Sequence, residues 1–299
     1  MFVSKKGTGR NEKMESVSIN SYAKINLGLD VTGLLPNGYH TVKMVMQNIS
    51  LCDSLHFKTI KPQKIMLKTN VPYLPVNENN IVYAAIKCYK EKFGIDTGIM
   101  ADIVKRIPVS AGMAGGSGNA AATLLAMNKM FGNRASKEEL QQMGVSLGAD
   151  VPYCLMGGTA LAEGIGEILT PLPKPPVAKI LIVKPNISVS TKMVYSELKL
   201  DETLVHPDID GIIECIRQKD LKGMCDRLGN VLEDVTVKLY PVIEDIKREM
   251  LENGAEGALM SGSGPTVFGL FREKETAEQL YYKFKKGKYA SSTFLCDFV

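Results

Sequence analysis

Apolar residues recur along this chain with two different periods, and the switches between them lay out its elements. Positions 17–19, 23–31 and 42–51 are β-branched or alternate apolar with polar. Leu35-Pro36-Asn37-Gly38 between them is a turn signal, so the chain is predicted to open on strands. Over 80–93 the residues Ile81, Ala84, Ala85, Cys88 and Tyr89 fall at helical spacing and Gly94 ends the run, after which 99–107 returns to strand character. A second helix is predicted around Ala121, Leu124 and Leu125, stopped at Gly132-Asn133, and a third over 137–147. Gly148-Ala149-Asp150-Val151-Pro152 reads as a bend and 157–169 as a glycine-interrupted hairpin. Further on, 178–183 is a buried-strand run; 208–217, 219–233 and 240–253 read as helices; 257–271 reads as a strand pair around a glycine loop; and 274–286 is amphipathic. This mixture predicts an α+β architecture in both halves, with no internal repeat.

Pro171, Pro173, Pro175 and Pro176 fall within six residues and predict a stiff connector that no sheet or helix interior accepts. It divides the chain into 14–174 and 175–299. Residues 1–13, polar and glycine-containing, read as a disordered lead or as sequence ahead of a true start at Met14. A length of 299 residues with 45% hydrophobic content is enough for sizeable cores. The net charge of +4 comes from 36 basic and 32 acidic residues spread along the chain, which argues against a nucleic-acid or membrane-surface partner and favours small anionic ligands. The six cysteines form no C-x-x-C pair and no Cys/His cluster at metal spacing, so they read as reduced core residues of a cytoplasmic protein without a protein-held metal. No apolar run approaches the roughly 20 residues of a membrane helix, and the N-terminus lacks the apolar region of a signal peptide.

The densest chemical signal is Gly112-Met113-Ala114-Gly115-Gly116-Ser117-Gly118 directly ahead of the second predicted helix. Glycines there free the backbone to visit φ > 0, so that successive N–H groups converge on one guest, and the helix N-terminus adds partial positive charge; a phosphate is the natural guest. A flexible surface loop is the bland alternative. A P-loop fails because no lysine follows the glycines. A dinucleotide fingerprint fails because Pro108 intervenes after the strand, and the acidic residues about 20 positions on, Glu138 and Glu139, lie in a helical run. Three further segments stand out. Lys24, inside the apolar strand Tyr22-Ala23-Lys24-Ile25-Asn26-Leu27, either faces solvent or pairs with an anion. Asp150 is either a cap or turn residue or a functional carboxylate. Ser261-Gly262-Ser263-Gly264-Pro265-Thr266 is a tight glycine turn entering a strand, which taken alone is an ordinary hairpin.

Taken together, Ala23-Lys24-Ile25-Asn26-Leu27, the run Pro108-Val109-Ser110-Ala111-Gly112-Met113-Ala114-Gly115-Gly116-Ser117 and Ser261-Gly262-Ser263-Gly264-Pro265-Thr266 resemble, in order and spacing, the three motifs of the GHMP kinase superfamily. Pro36-Asn37-Gly38-Tyr39-His40, the Gly-Gly-Ser-Gly-Asn-Ala-Ala form of the loop, and Gly148-Ala149-Asp150-Val151-Pro152-Tyr153 followed by Gly157-Gly158-Thr159-Ala160 are similar to the branch whose acceptor is a CDP-linked methylerythritol.

The resemblance implies an N-terminal domain like ribosomal protein S5 domain 2 and a C-terminal ferredoxin-like α/β plait, with the active site in the cleft between them. It implies ATP-dependent phosphorylation of an acceptor hydroxyl, expected at the 2-position, in the non-mevalonate route to isoprenoid precursors. On this reading Asp150 is the base and Lys24 keeps it ionised and orients the hydroxyl. Asn26 hydrogen-bonds the substrate; Pro108 to Gly118 wrap the ATP phosphates; Asn80 and Lys105 line the nucleotide pocket; and Gly262, Ser263 and Gly264 form the third motif's loop. Tyr39 stacks on cytosine and His40 hydrogen-bonds its edge, with Tyr195 as the opposite stacking face. His56 and His206 read as structural.

The loop departs from the family pattern at Met113, Ala114 and Gly118. Gly116 stands where many relatives carry a serine that ligates metal, so Mg²⁺ is expected to be held mainly by phosphates and water. The implied partners are small molecules only, with a monomer or weak homodimer. Another small-molecule kinase of homoserine or mevalonate type, or a non-catalytic nucleotide-binding relative, is the alternative.

Overall fold

The computed structural model describes residues 14–287 and 292–299; the expected lead over 1–13 lies outside the described residues. The opening strands are longer than their apolar cores. β1 (Ser16–Leu34) and β2 (His40–Ile60) form one antiparallel hairpin closed by the predicted turn, where Leu35 N donates to Tyr39 O at 2.7 Å and Gly38 takes φ +83°. Register shifts between Tyr22/Ala23, Asn26/Gly28 and Val31/Gly33 interrupt the ladder, and such bulges let one ribbon twist from one core to another.

β3 (Ile65–Thr69) and β4 (Gly98–Val104) extend this sheet beside β2, with β3 parallel to β4. The helix joining them, α1 (Ile81–Phe93), starts where the Asn80 side chain accepts from Val82 N and ends at Gly94 in the left-handed region. α2 (Gly115–Met130) and α3 (Lys137–Leu147) follow, the latter opened by a reciprocal capping box of Ser136 and Glu139. Val17, Leu55, Phe57, Ile99 and Ala101 from the strands pack against Val82, Ile86 and Tyr89 of α1 and Leu124 and Met127 of α2 to make the first core.

The predicted bend at 148–152 is in fact the entry to a short helix, α4 (Val151–Met156), because Pro152 near its start is compatible with a first turn whose N–H groups are unpaired anyway. β5 (Thr159–Glu163) and β6 (Ile168–Leu172) form the predicted hairpin, with β5 pairing β2. Pro171, expected in the connector, lies inside β6 opposite Ala160. Among the described residues β6 bonds only to β5, so it is an edge strand where a residue without an N–H is tolerated.

β7 (Lys179–Val183) opens the second sheet, followed by α5 (Thr191–Glu197), α6 (Ile209–Gln218) and α7 (Leu221–Cys225). The helix expected over 219–233 is broken: after α7 the chain makes the two-residue β8 (Gly229–Asn230), which joins β1 in parallel. α8 (Glu233–Leu239), α9 (Val242–Glu252), β9 (Gly257–Met260), β10 (Val267–Phe271), α10 (Lys274–Lys286) and β11 (Thr293–Asp297) complete the chain. The second sheet runs in the order β11-β7-β10-β9, antiparallel throughout, as in an α/β plait.

Strand alternation gives this sheet two buried faces. Leu181, Val183 and Phe271 pack on Ile243, Ile246 and Met250 of α9 and Leu280 and Phe284 of α10. Ile180, Ile182 and Phe268 point the other way, into a core shared with Ala23, Ile25 and Leu27 of β1 and Ile212 and Ile216 of α6. The two halves are thus joined by apolar packing rather than by a wet interface. Phe268→Ala is expected to cost about 3–5 kcal/mol through the cavity it leaves in that shared core. Urea unfolding followed by two probes, one in each half, should show both transitions moving together.

Candidate active site

The first site residues follow from the period of β1. Ala23, Ile25 and Leu27 are fully buried in the shared core, so Lys24 and Asn26 stand together on the other face. Lys24 is only 5% exposed, and its ammonium donates to Asn26 Oδ1 at 2.6 Å. The Asn26 amide in turn lies 3.3 Å from Met44 Sδ. Lys24 is therefore not solvent-facing, and among the described residues no carboxylate pairs with it.

Three distant segments meet at this lysine. Its backbone N–H donates to Met113 O at 3.1 Å, tying β1 to the glycine-rich loop. Ser261 Oγ donates to Gly112 O at 3.0 Å, tying that loop to the one between β9 and β10. Gly112, at φ +68°, is demanded by this approach, since a Cβ there would lie 2.2 Å from Ser261 O. A Cβ on Gly262 would lie 3.5 Å from Lys24 Nζ. Asn230 secures the third loop from below, its amide donating to Met260 O at 2.9 Å and Gly262 O at 2.8 Å.

These loops border a cavity of about 1600 Å³. Pro108, Val109, Ser110, Ala111 and Gly112 line it, as do Ala114, Gly115, Gly116 and Ser117 at the N-terminal end of α2, where unpaired backbone N–H groups and the helix dipole favour an anion. Met113 and Gly118 are buried behind the loop, and Gly264 behind Gly262 and Ser263, which do reach the cavity. Asn80, whose amide donates to Pro75 O at 2.7 Å, and Lys105 also line it. Asn26, expected to bond substrate, does not line it: its carbonyl oxygen is taken up by Lys24, so it orients the lysine.

Asp150 lines the same cavity. It occupies the N-cap position of α4, but its carboxylate makes no capping bond, which leaves it available to a ligand. α4 is anchored by Tyr153, whose hydroxyl donates to Gly158 O at 2.8 Å, and by Asn48, which accepts from Gly158 N at 2.8 Å and donates to Ala23 O at 3.1 Å. Burial and then the negative charge of Asp150 push the Cys154 thiol up, with Lys24 acting in the opposite sense, so both charges are felt at one point. Burial, with Asp150 again adding to it, pushes the Tyr195 phenol up to about 12. Tyr195 lies on α5 with its ring 5.2 Å from that of His40, and Tyr39, exposed, lines the cavity beside them.

Residues 80–158 match the family model described as GHMP kinases N terminal domain, and residues 212–290 match GHMP kinases C terminal. The chain is similar to the 4-diphosphocytidyl-2-C-methyl-D-erythritol kinase of Lachnoclostridium phytofermentans, 55% identical over 95% of this chain and 98% of that protein. The chain belongs to the 4-diphosphocytidyl-2-C-methyl-D-erythritol kinase family. The Clostridium perfringens member is 46% identical over 92% of this chain and 96% of its own. A crystal structure of a 4-(cytidine 5'-diphospho)-2C-methyl-D-erythritol kinase superposes with a TM-score of 0.80 at 29% identity, covering 94% of this chain and 99% of that one. Homoserine kinase from Cytophaga hutchinsonii, at 22% identity and a TM-score of 0.77, covering 97% and 95%, shares the fold.

Where this member of the family departs from the usual loop, the structure gives reasons. Ala114 takes φ +52°, a left-handed conformation that an alanine adopts at a cost of about 1–2 kcal/mol. Gly116 is not required by space, since a Cβ there meets nothing within 4 Å. Gly118 is tightly packed: a Cβ there would lie 2.6 Å from Ser21 Oγ, so the serine would have to turn away, and among the described residues that buried hydroxyl has no hydrogen-bond partner. Of the two histidines read as structural, His56 Nδ1 lies 2.9 Å from Ser18 Oγ and His206 Nδ1 lies 2.7 Å from Asp30.

Sequence reasoning missed Asp53. Its fully buried carboxylate accepts from Arg106 N at 2.7 Å, Ile107 N at 2.9 Å and the Asn119 amide at 2.9 Å, and forms an ion pair with Lys105. The available signal was the one that singled out Lys24, a charge inside an apolar strand. Lys105 also donates to Asn119 Oδ1 at 3.0 Å, so its charge is absorbed beneath the loop.

Two outcomes follow. Asp53→Ala leaves Lys105 buried and unpaired, and is expected to lower stability by about 3–5 kcal/mol in chemical denaturation. Gly118→Ala should lower the melting temperature, and adding Ser21→Ala, which removes the crowding oxygen without placing a glycine in β1, should restore it, as calorimetry would show.

Proposed function

We propose that this chain transfers the γ-phosphoryl group of ATP to a hydroxyl of 4-diphosphocytidyl-2-C-methyl-D-erythritol, expected at the 2-position, giving the 2-phosphate and ADP for isoprenoid precursor synthesis. The observation that carries this reading is one cavity that holds together the glycine loop, the uncapped Asp150, Lys24 and the Tyr39–His40–Tyr195 aromatic group. The acceptor oxygen attacks the γ-phosphorus, the bond to the β,γ-bridging oxygen breaks with its electron pair leaving on ADP, and the hydroxyl proton passes to Asp150. Lys24, held by Asn26, balances the charge that collects on the acceptor oxygen and on Asp150. The N–H groups at the start of α2 take the donor phosphates.

Mg²⁺ enters with ATP as part of the substrate. Among the described lining residues the one carboxylate is Asp150, which takes the hydroxyl proton, and the other oxygen donors, such as the Ser110 and Ser117 hydroxyls, are neutral. The ion is then held mainly by phosphates and water. The aromatic group selects cytosine: Tyr39 and Tyr195 offer faces for stacking, and His40 offers a nitrogen for the polar edge of the base. No helix among the described residues is long and apolar enough to cross a membrane. With six free cysteines and ATP as co-substrate, the cytoplasm is the compartment that fits, with the chain working as a monomer or weak homodimer.

The test is ATP consumption by the purified protein against a panel of the CDP-linked methylerythritol, homoserine and mevalonate. Turnover is expected on the first alone. Asp150→Asn should lower kcat by about 10²–10⁴ while ATP still binds, as loss of a general base does. Turnover on homoserine or mevalonate instead, or an Asp150→Asn variant with full activity, would overturn the reading.

A further inference from the structure

α5 runs along the acceptor side of the cavity. At its start Thr191 Oγ1 lies 2.8 Å from Ser263 Oγ in the third glycine loop, and one turn later Tyr195 meets His40 with ring centroids 5.2 Å apart. Thr191, Lys192, Tyr195 and Ser196 all line the cavity, a spacing that places them on one face of the helix. Lys192 therefore stands between the aromatic group and the loop that flanks Lys24.

The other two lysines in the lining are already committed. Lys105 is paired with Asp53, and Lys24 donates to Asn26 and shares its end of the cavity with Asp150. Among the described residues the Lys192 ammonium, which lines the cavity, has no carboxylate partner and no hydrogen bond. Asp150 is the only carboxylate among the described lining residues, so the lysine's charge meets little competition from the protein.

We propose that Lys192 is the counter-charge for the diphosphate of the CDP-linked acceptor and sets the preference for that acceptor over uncharged alcohols. This rests on the reading that the acceptor carries cytidine diphosphate. In such a molecule the diphosphate joins the base to the sugar alcohol. With the base at Tyr39, His40 and Tyr195 and the hydroxyl at Asp150, it must pass the first turn of α5. A compact ammonium on a flexible stem suits this task, because it follows phosphate oxygens without demanding one geometry.

Binding of cytidine diphosphate and of cytidine to the full chain, measured by calorimetry with the ATP site filled by ADP, separates the diphosphate from the base. Lys192→Met is expected to weaken cytidine diphosphate by about tenfold, the size of one charge-assisted contact, and to leave cytidine unchanged. In turnover it should raise KM for the acceptor by a similar factor with a much smaller effect on kcat, leave KM for ATP in place, and be rescued by Lys192→Arg. Equal weakening of both ligands, a rise in the ATP KM instead, or no change in either assay would each overturn the assignment. An unaltered enzyme that ignores the CDP-linked acceptor overturns the underlying reading and this inference with it. An enzyme active on that acceptor but insensitive to Lys192→Met overturns this inference alone.

Discussion

The buried carboxylate of Asp53 is the constraint around which the glycine-loop side of the cavity is arranged. It gathers two consecutive backbone N–H groups, at Arg106 and Ile107, an amide from α2 and the ammonium of Lys105. An isolated charge at that depth is unfavourable by many kcal/mol, so the chain between β4 and α2 is held wherever those donors can all reach it. That chain is the glycine-rich loop. Its N–H groups are aimed at the cavity because the segment leading into it is already fixed from below.

The side of the cavity that carries Lys24 is arranged by packing. β1 presents Ala23, Ile25 and Leu27 to the core it shares with β7 and β10, and the same strand presents Lys24 to the cavity. Because alternation is strict over these five residues, the position of the lysine is tied to the fit of three apolar neighbours. The third glycine loop leaves β9 within the same core and comes to rest on the carbonyl of Gly112. A lysine on one strand and two loops from different sheets share one set of apolar contacts.

Local rules wrote the helices most clearly into the sequence. α3 is delimited by a capping box between Ser136 and Glu139, and α1 by Asn80 and Gly94, all of which act within a few residues of themselves. What was hidden depends on partners far along the chain. β3, five residues of mixed polarity, exists because it pairs in parallel with β4, and β8 exists because Gly229 and Asn230 meet β1. Pro171 reads as a strand breaker until the hairpin is seen to be an edge. In the site, Lys24 announced itself as a charge among apolar neighbours. Asp150 taken alone looked like any cap; the motif around it marked it as a candidate base, and in three dimensions its carboxylate makes no capping bond. Asp53 carried the same signal as Lys24, but its partners lie more than fifty residues away.

The shared core limits how the enzyme can move. Separating the two halves about a hinge would pull Ile180, Ile182 and Phe268 away from Ala23, Ile25 and Leu27 and wet a surface that is dry in the closed packing. Rigid-body opening is therefore tied to partial unfolding, and the chain has no inexpensive route to the wide clamshell motion of kinases whose lobes meet across water. Adjustment to ligands falls to the parts outside that core: the hairpin tip that carries Tyr39 and the solvent-exposed side chains of α5. Substrate entry and product release would then be paced by side chains and a single turn rather than by domains.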